Sequence, residues 1–201
     1  MLDYFSKEEF PKQRRFRQLR DEKLKPILET MTRLGIDPNT ITYLSMALFF
    51  LSLLFIYDHP FVGGFFLLLH CLLDGLDGPL ARYQRKESNA GSILDILNDQ
   101  LGIIFLPAAA IYFFETDPIY AYFFGLFYTL DIILVVVLNT LRVRVRFVLR
   151  VKYLYYGLFF LSAYLKYDLL YYFHFLFGIF YMIHAAYLFV LLNRYLTKRS
   201  A

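Results

Sequence analysis

Between Leu72 and Gly102 lie four aspartates, Asp74, Asp77, Asp95 and Asp99, in a stretch flanked by long apolar runs. A charged side chain near mid-membrane costs about 2.5–3.5 kcal/mol on insertion scales, and less near the interface. Four carboxylates close together also repel one another, and Arg82 offsets only part of their charge. Divalent cations are the economical answer, and all-oxygen ligands select Mg2+, Mn2+ or Ca2+ over zinc. Carboxylates shared between two helices suit a pair of metals that clamps phosphates and activates an attacking oxygen. Gly78 and Gly91 would let a large ligand, such as a nucleotide diphosphate, approach the backbone. Ser88 can cap a helix or donate to a phosphate.

The elements that must position these residues are apolar helices. Of the 201 residues, 59% are hydrophobic, above the roughly 45–50% of soluble domains, so the chain reads as an all-α integral membrane protein. Six segments approach the ~20 residues that a bilayer core requires: Thr40–Tyr57, Phe61–Leu80, Ser92–Phe114, Ile119–Leu141, Tyr153–Leu165 and Leu169–Asn193. The fifth is short. At about 100° per residue, Asp74, Asp77, Gly78, Ala81 and Arg82 share about 140° of the second span, and Gly91, Asp95 and Asp99 about 80° of the third. Two consecutive helices joined by a short loop pack as neighbours, so these faces can meet in a carboxylate-lined pocket.

Charge fixes the expected orientation. With the amino terminus in the cytoplasm, 20 of the 21 Lys and Arg residues fall inside and only Lys166 outside, as positive-inside bias demands. Both termini and the acidic pocket are then cytoplasmic. Residues 1–38 read as a separate basic, amphipathic segment on the inner membrane face. Its apolar positions Phe16, Leu19, Leu24, Ile27, Leu28 and Met31 recur at helical spacing, with a bend expected near Pro26. Residues 39–201 form the six-helix transmembrane unit. Pro38 ends the first helix, and Asn39 or Thr40 is expected to cap the next. The charged first 35 or so residues do not read as a cleavable signal peptide. The single Cys71 excludes an internal disulfide and a cysteine-based zinc site and reads as a small core residue. Nucleic acid is not among the expected partners.

Written as spacing, the acidic stretch is D-x2-D-G-x2-A-R-x8-G-x3-D-x3-D, filled by Asp74, Asp77, Gly78, Ala81, Arg82, Gly91, Asp95 and Asp99. It resembles the signature of the CDP-alcohol phosphotransferases at every fixed position. Pro38–Thr42, "PNTIT", is similar to that family's P-N-x-x-T. The resemblance implies transfer of the phosphatidyl group of CDP-diacylglycerol to a small alcohol, with release of CMP. It also implies two divalent cations, Mg2+ or Mn2+, and a homodimer. By carry-over, Asp74, Asp77 and Asp95 bind the metals. Asp99 acts as general base and also touches a metal. Asp74, Asn39, Thr42, Gly78, Ala81, Arg82, Ser88 and Gly91 form the CDP site. Two alternatives stand beside this reading: transfer from a small CDP-alcohol to diacylglycerol, and a cation transporter that uses the acids as its ion site.

The acceptor is less legible. Arg142 and Arg144 look like the arginine pair of inositol-phosphate-type members, and Arg146, Arg150 and Lys152 continue the basic run. Most of these cations are expected to anchor the chain to headgroups. The run after Gly91 looks more like serine-accepting members, and Asp77–Arg82 like phosphatidylcholine synthases. Asp131, deep in the fourth span, is a further candidate at the acceptor site, paired with Asn98, a tyrosine or a pocket water. His70, His174 and His184 read as core or interfacial residues.

Overall fold

The computed structural model describes residues 10–145 and 147–200, and the described residues are all-helical, with no strand among them. The expectations for Arg146 and for the side chain of Phe16 lie outside the described parts. Helix α1 (Phe10–Arg33) continues through Pro26 and ends where Gly35 adopts φ +70°, the left-handed exit that glycine accommodates without a Cβ clash. Its Leu28 is buried with Ile41 and Leu80, and Leu24 and Met31 pack beside them. Leu19 and Ile27 stay exposed.

Helix α2 (Pro38–Phe55) is capped by Asp37, whose side chain accepts from the Asn39 N–H at 3.2 Å. The cap therefore precedes both expected residues, and Pro38 occupies the first turn, where its missing N–H costs nothing. The second expected span is not one uninterrupted helix. It is α3 (Pro60–Asp74) and α4 (Asp77–Tyr83), separated at Gly75–Leu76, where Leu76 N–H bonds Leu73 O in a tightened three-residue turn. The expected shared arc for Asp74 and Asp77 is corrected by this break: they belong to different helices.

Helices α5 (Asn89–Phe114), α6 (Pro118–Thr140), α7 (Lys152–Leu165) and α8 (Leu170–Ser200) complete the bundle. Among the described residues, five stretches are long and apolar enough to cross a membrane: Pro38–Phe55, Pro60–Tyr83, Asn89–Phe114, Pro118–Thr140 and Leu170–Lys198. The 14 residues of α7 reach only about 21 Å at ~1.5 Å per residue, short of a ~30 Å hydrocarbon core.

Helix α5 packs against α2, α6 and α7, while α6 lies along α8. Lipid tails are as apolar as leucine, so close packing rather than water exclusion must join these helices. At Gly102 a Cβ would fall 1.7 Å from Tyr156 Oη, and at Gly178 it would fall 3.0 Å from Phe123. These two glycines let α7 approach α5 and let α8 approach α6. The core between them is aromatic: Phe49, Phe124, Tyr155, Phe159 and Tyr181 are buried in one cluster with Ile103 and Leu106.

Candidate active site

The acids converge where α3 ends against the first half of α5. Asp74, Asp95 and Asp99 each offer a carboxylate oxygen, and these three oxygens lie within 4.8 Å of one another. Asp95 and Asp99 are one helical turn apart on α5, and Asp74 closes α3. Asp77 opens α4 in a different setting. Its Oδ2 accepts from Thr42 Oγ1 at 2.7 Å and its Oδ1 from the Gly78 N–H at 2.6 Å. Thr42 thus ties α2 to the start of α4.

Both oxygens of Asp74 are engaged. Asn98 Nδ2 donates to Oδ1 at 2.7 Å. Lys152 Nζ donates to Oδ2 at 2.7 Å, and Tyr153 O–H to the same oxygen at 3.1 Å. The Lys152 ammonium also bonds Asp99 Oδ1. Lys152 is buried, although the sequence places it among ordinary headgroup-facing cations. One ammonium against three clustered carboxylates leaves an excess of negative charge. The donor set is all oxygen and compact, which fits hard divalent cations.

Among the residues assigned to CDP, Asn39, Ser88 and Gly91 meet at one point and Gly78 and Arg82 at another. A Cβ at Gly91 would lie 3.2 Å from Ser88 Oγ and 3.6 Å from Asn39 Oδ1, so the starts of α2 and α5 meet there. Ser88 caps α5, accepting from the Gly91 N–H at 3.0 Å. Arg82 Nη1 lies 3.5 Å from a Cβ built on Gly78. The guanidinium forks onto Asp21 of α1, with Nε and Nη2 donating at 2.8 and 3.0 Å. Partial burial works to raise the Asp21 pKa, but its bonds and proximity to Arg82 and Arg20 outweigh this and hold it below the ordinary aspartate value.

The profile of the CDP-alcohol phosphatidyltransferase family matches residues 36–196. The chain belongs to that family. Over 76 residues it is 38% identical to the bifunctional IPC transferase and DIPP synthase of Aquifex aeolicus, covering 37% of this chain and 18% of that protein. Over 79 residues it is 37% identical to the archaetidylinositol phosphate synthase of Pyrococcus horikoshii, covering 39% of this chain and 42% of that protein. The matched part of the chain thus spans less than half the length of either relative. No solved structure gives a significant match.

For a member of this family the remaining candidates divide by place. Arg142 and Arg144 are exposed, while Val143 and Val145, which alternate with them, turn toward Val135, Leu138 and Leu188. The alternation R-V-R-V therefore puts charge outward and packs valine inward. Asp131 is fully buried, and His184 Nδ1 lies 2.6 Å from its Oδ1. Its partner is thus the histidine of α8, while Asn98 serves Asp74. Sequence reasoning missed Lys152, Asn98 and Asp21 as parts of the site. Asn98 had a usable signal, lying three residues after Asp95 on the acid-bearing helix. Lys152 and Asp21 had none, since their partners are 53 and 61 residues away.

Proposed function

We propose that the chain transfers the phosphatidyl group of CDP-diacylglycerol to a hydroxyl of a small polar alcohol and releases CMP. In this reading Asp74, Asp77, Asp95 and Asp99 hold two divalent cations, Mg2+ or Mn2+. The observation that carries it is the convergence of Asp74, Asp95 and Asp99 within 4.8 Å, in a chain whose family transfers groups from CDP-alcohols. When bound, the cations supply charge that neutralises the diphosphate and the departing CMP.

The chain's own residues do the rest. Asn39, Thr42, Gly78, Ala81, Arg82, Ser88 and Gly91, with Asp74, receive the CDP portion, the two glycines by allowing its phosphates against the backbone. The acceptor oxygen attacks the phosphorus that bears the diacylglycerol. The bond from that phosphorus to the oxygen of CMP breaks, and CMP leaves with the electron pair. The hydroxyl proton passes to Asp99, where general base catalysis contributes about 10²–10⁴-fold. Lys152 holds one oxygen of Asp99 and leaves the other for that proton.

The name of the Pyrococcus relative specifies archaetidylinositol phosphate, which supports a phosphorylated polyol as acceptor, with Arg142 and Arg144 meeting its phosphate and Asp131 a more remote contributor. The asymmetry of Lys and Arg supports a cell-membrane protein with both termini and the active site cytoplasmic, α7 making the sixth crossing with the residues that precede it. The exposed Leu19 and Ile27 of α1 support a separate segment, residues 1–38, lying on the inner surface. A homodimer follows from the family resemblance.

Purified chain in mixed micelles with CDP-diacylglycerol, Mg2+ or Mn2+ and a panel of inositol phosphate, glycerol 3-phosphate, serine, inositol and choline tests the reading. CMP release with one acceptor, lost on chelation and in Asp95→Asn, is the expected result. No turnover with any acceptor, or full activity in Asp95→Asn, refutes it.

A further inference from the structure

Beneath Asp74 lies a row of buried polar groups that neither the family motif nor the transfer chemistry explains. Asn98 Nδ2 has two hydrogens and spends both, one on Asp74 Oδ1 at 2.7 Å and one on Ser45 Oγ at 3.1 Å. A carboxylate can only accept, so the amide nitrogen rather than its oxygen must face Asp74. Ser45 is tied in turn to His70: Oγ lies 2.8 Å from Nδ1 and 3.3 Å from the His70 carbonyl, and Nδ1 lies 3.0 Å from the Ser45 carbonyl. Ser45, His70 and Asn98 are each 0% exposed, and they come from α2, α3 and α5.

As scaffolding this row is uneconomical. His70 Nε2 and Asn98 Oδ1 are buried without partners, as is Tyr156 Oη, whose ring centroid lies 5.7 Å from that of His70. Unpartnered buried polar atoms lower stability, and apolar residues of similar shape would join the same helices without that penalty. What the row does accomplish is directional. It ties Asp74 Oδ1 from below, so that Oδ2, the oxygen shared with Lys152 and hence with Asp99, faces the acid cluster.

We infer that Asn98, braced by Ser45 and His70, is a positioning residue that fixes Asp74 for cation binding. The inference rests on the cation reading proposed above, and Mn2+ affinity separates the two. The full chain is purified in detergent, Mn2+ binding is titrated by electron paramagnetic resonance of the free ion, and the metal-free unfolding midpoint is recorded alongside. Groups that orient metal ligands typically set affinity by about 10–100-fold, so Asn98→Leu and His70→Leu should each weaken Mn2+ by at least about tenfold. His70→Leu should leave the midpoint unchanged or higher, because it removes an unpartnered nitrogen. His70→Asn, whose amide can replace Nδ1, should recover most of the affinity.

Two results overturn the inference while leaving the cation site standing. One is unaltered Mn2+ affinity in both leucine variants. The other is affinity and midpoint falling together without recovery in His70→Asn, the mark of a merely structural role. Should the leucine variants fail to fold, Ser45→Ala removes a single oxygen from the row, and unchanged affinity there also overturns it. If the unaltered chain binds no Mn2+, the cation reading itself fails and the inference falls with it.

Discussion

Two of the places where this bundle buries a carboxylate are built on opposite charge arithmetic. At the α6–α8 seam, fully buried Asp131 meets one imidazole, His184, whose ring lies among those of Phe147, Phe180 and Tyr187. There one acid meets one base. At the α3–α5–α7 junction, three acids share a space under 5 Å across with one base, Lys152. A matched acid–base pair in lipid can simply join two helices. An unbalanced cluster costs too much to be only a joint, because desolvation and mutual repulsion add. The proposed ligand site thus differs from the Asp131–His184 contact in surplus acid rather than in burial as such.

The contrast breaks most sharply under conservative amide replacement. Asp99→Asn should lower the rate of CMP release by about 10²–10⁴-fold, the usual contribution of a general base. Asp131→Asn should keep it within about threefold, as expected for a group outside the transferring atoms. Steady-state rates normalised to folded protein compare them. A folded Asp131→Asn variant as inactive as Asp99→Asn would place both clusters in the chemistry and end the distinction.

The next effect is on stability. His184→Leu leaves Asp131 buried beside an apolar side chain, and breaking a buried pair in this way costs about 3–5 kcal/mol. The double variant Asp131→Leu/His184→Leu should recover most of that loss, since removing both polar partners leaves nothing uncompensated. Unfolding in detergent, followed by circular dichroism, measures the cycle. A double variant as unstable as the single one would mean that the pair does more than join α6 to α8.

For the acid cluster the matching change is Lys152→Met. It strips the ammonium from Asp74 and Asp99 and should destabilise the chain in chelator, but divalent cations should offset the loss. At 100 times its dissociation constant a bound ion contributes about 2.7 kcal/mol, so the Mg2+-induced rise in unfolding midpoint should be larger in the variant than in the unaltered chain. Equal rises would show that Lys152 and the cation do not share oxygens.

How far the sequence reaches follows the same division. The acids, glycines and Arg82 are legible because fixed spacing along a single chain segment carries them. The broken helix between Asp74 and Asp77 was not legible, since Gly75 and Leu76 keep near-helical dihedrals and an apolar run shows no interruption. Lys152 looks in sequence like its basic neighbours. Only the fold carries it from the start of α7 to two aspartates 78 and 53 residues away. Asp131 was visible as an ionisable group at depth, but its partner lies on a helix with no distinguishing pattern. Local spacing exposes motifs, whereas pairing across the bundle is set by packing that the sequence states only collectively.

The smallest expected effect concerns Arg82, the one motif cation, which spends two donors on Asp21 rather than on the acids. Both side chains are about a quarter exposed, so the fork is worth no more than about 1 kcal/mol. The Asp21 carboxyl is held below its ordinary pKa, so its contribution is complete above the unfolded aspartate value and fades as pH falls through the lower folded one. Amide exchange across α1, corrected for intrinsic rate, should therefore show full protection near pH 6 and loosening only below about pH 4. Asp21→Asn should show the looser state at every pH. It should also free Arg82 to turn toward the acids or a bound diphosphate, changing the KM for CDP-diacylglycerol while kcat stays within about twofold. A change in kcat instead would make α1 part of the unbalanced cluster and extend the site to a helix outside the proposed metal-ligating core.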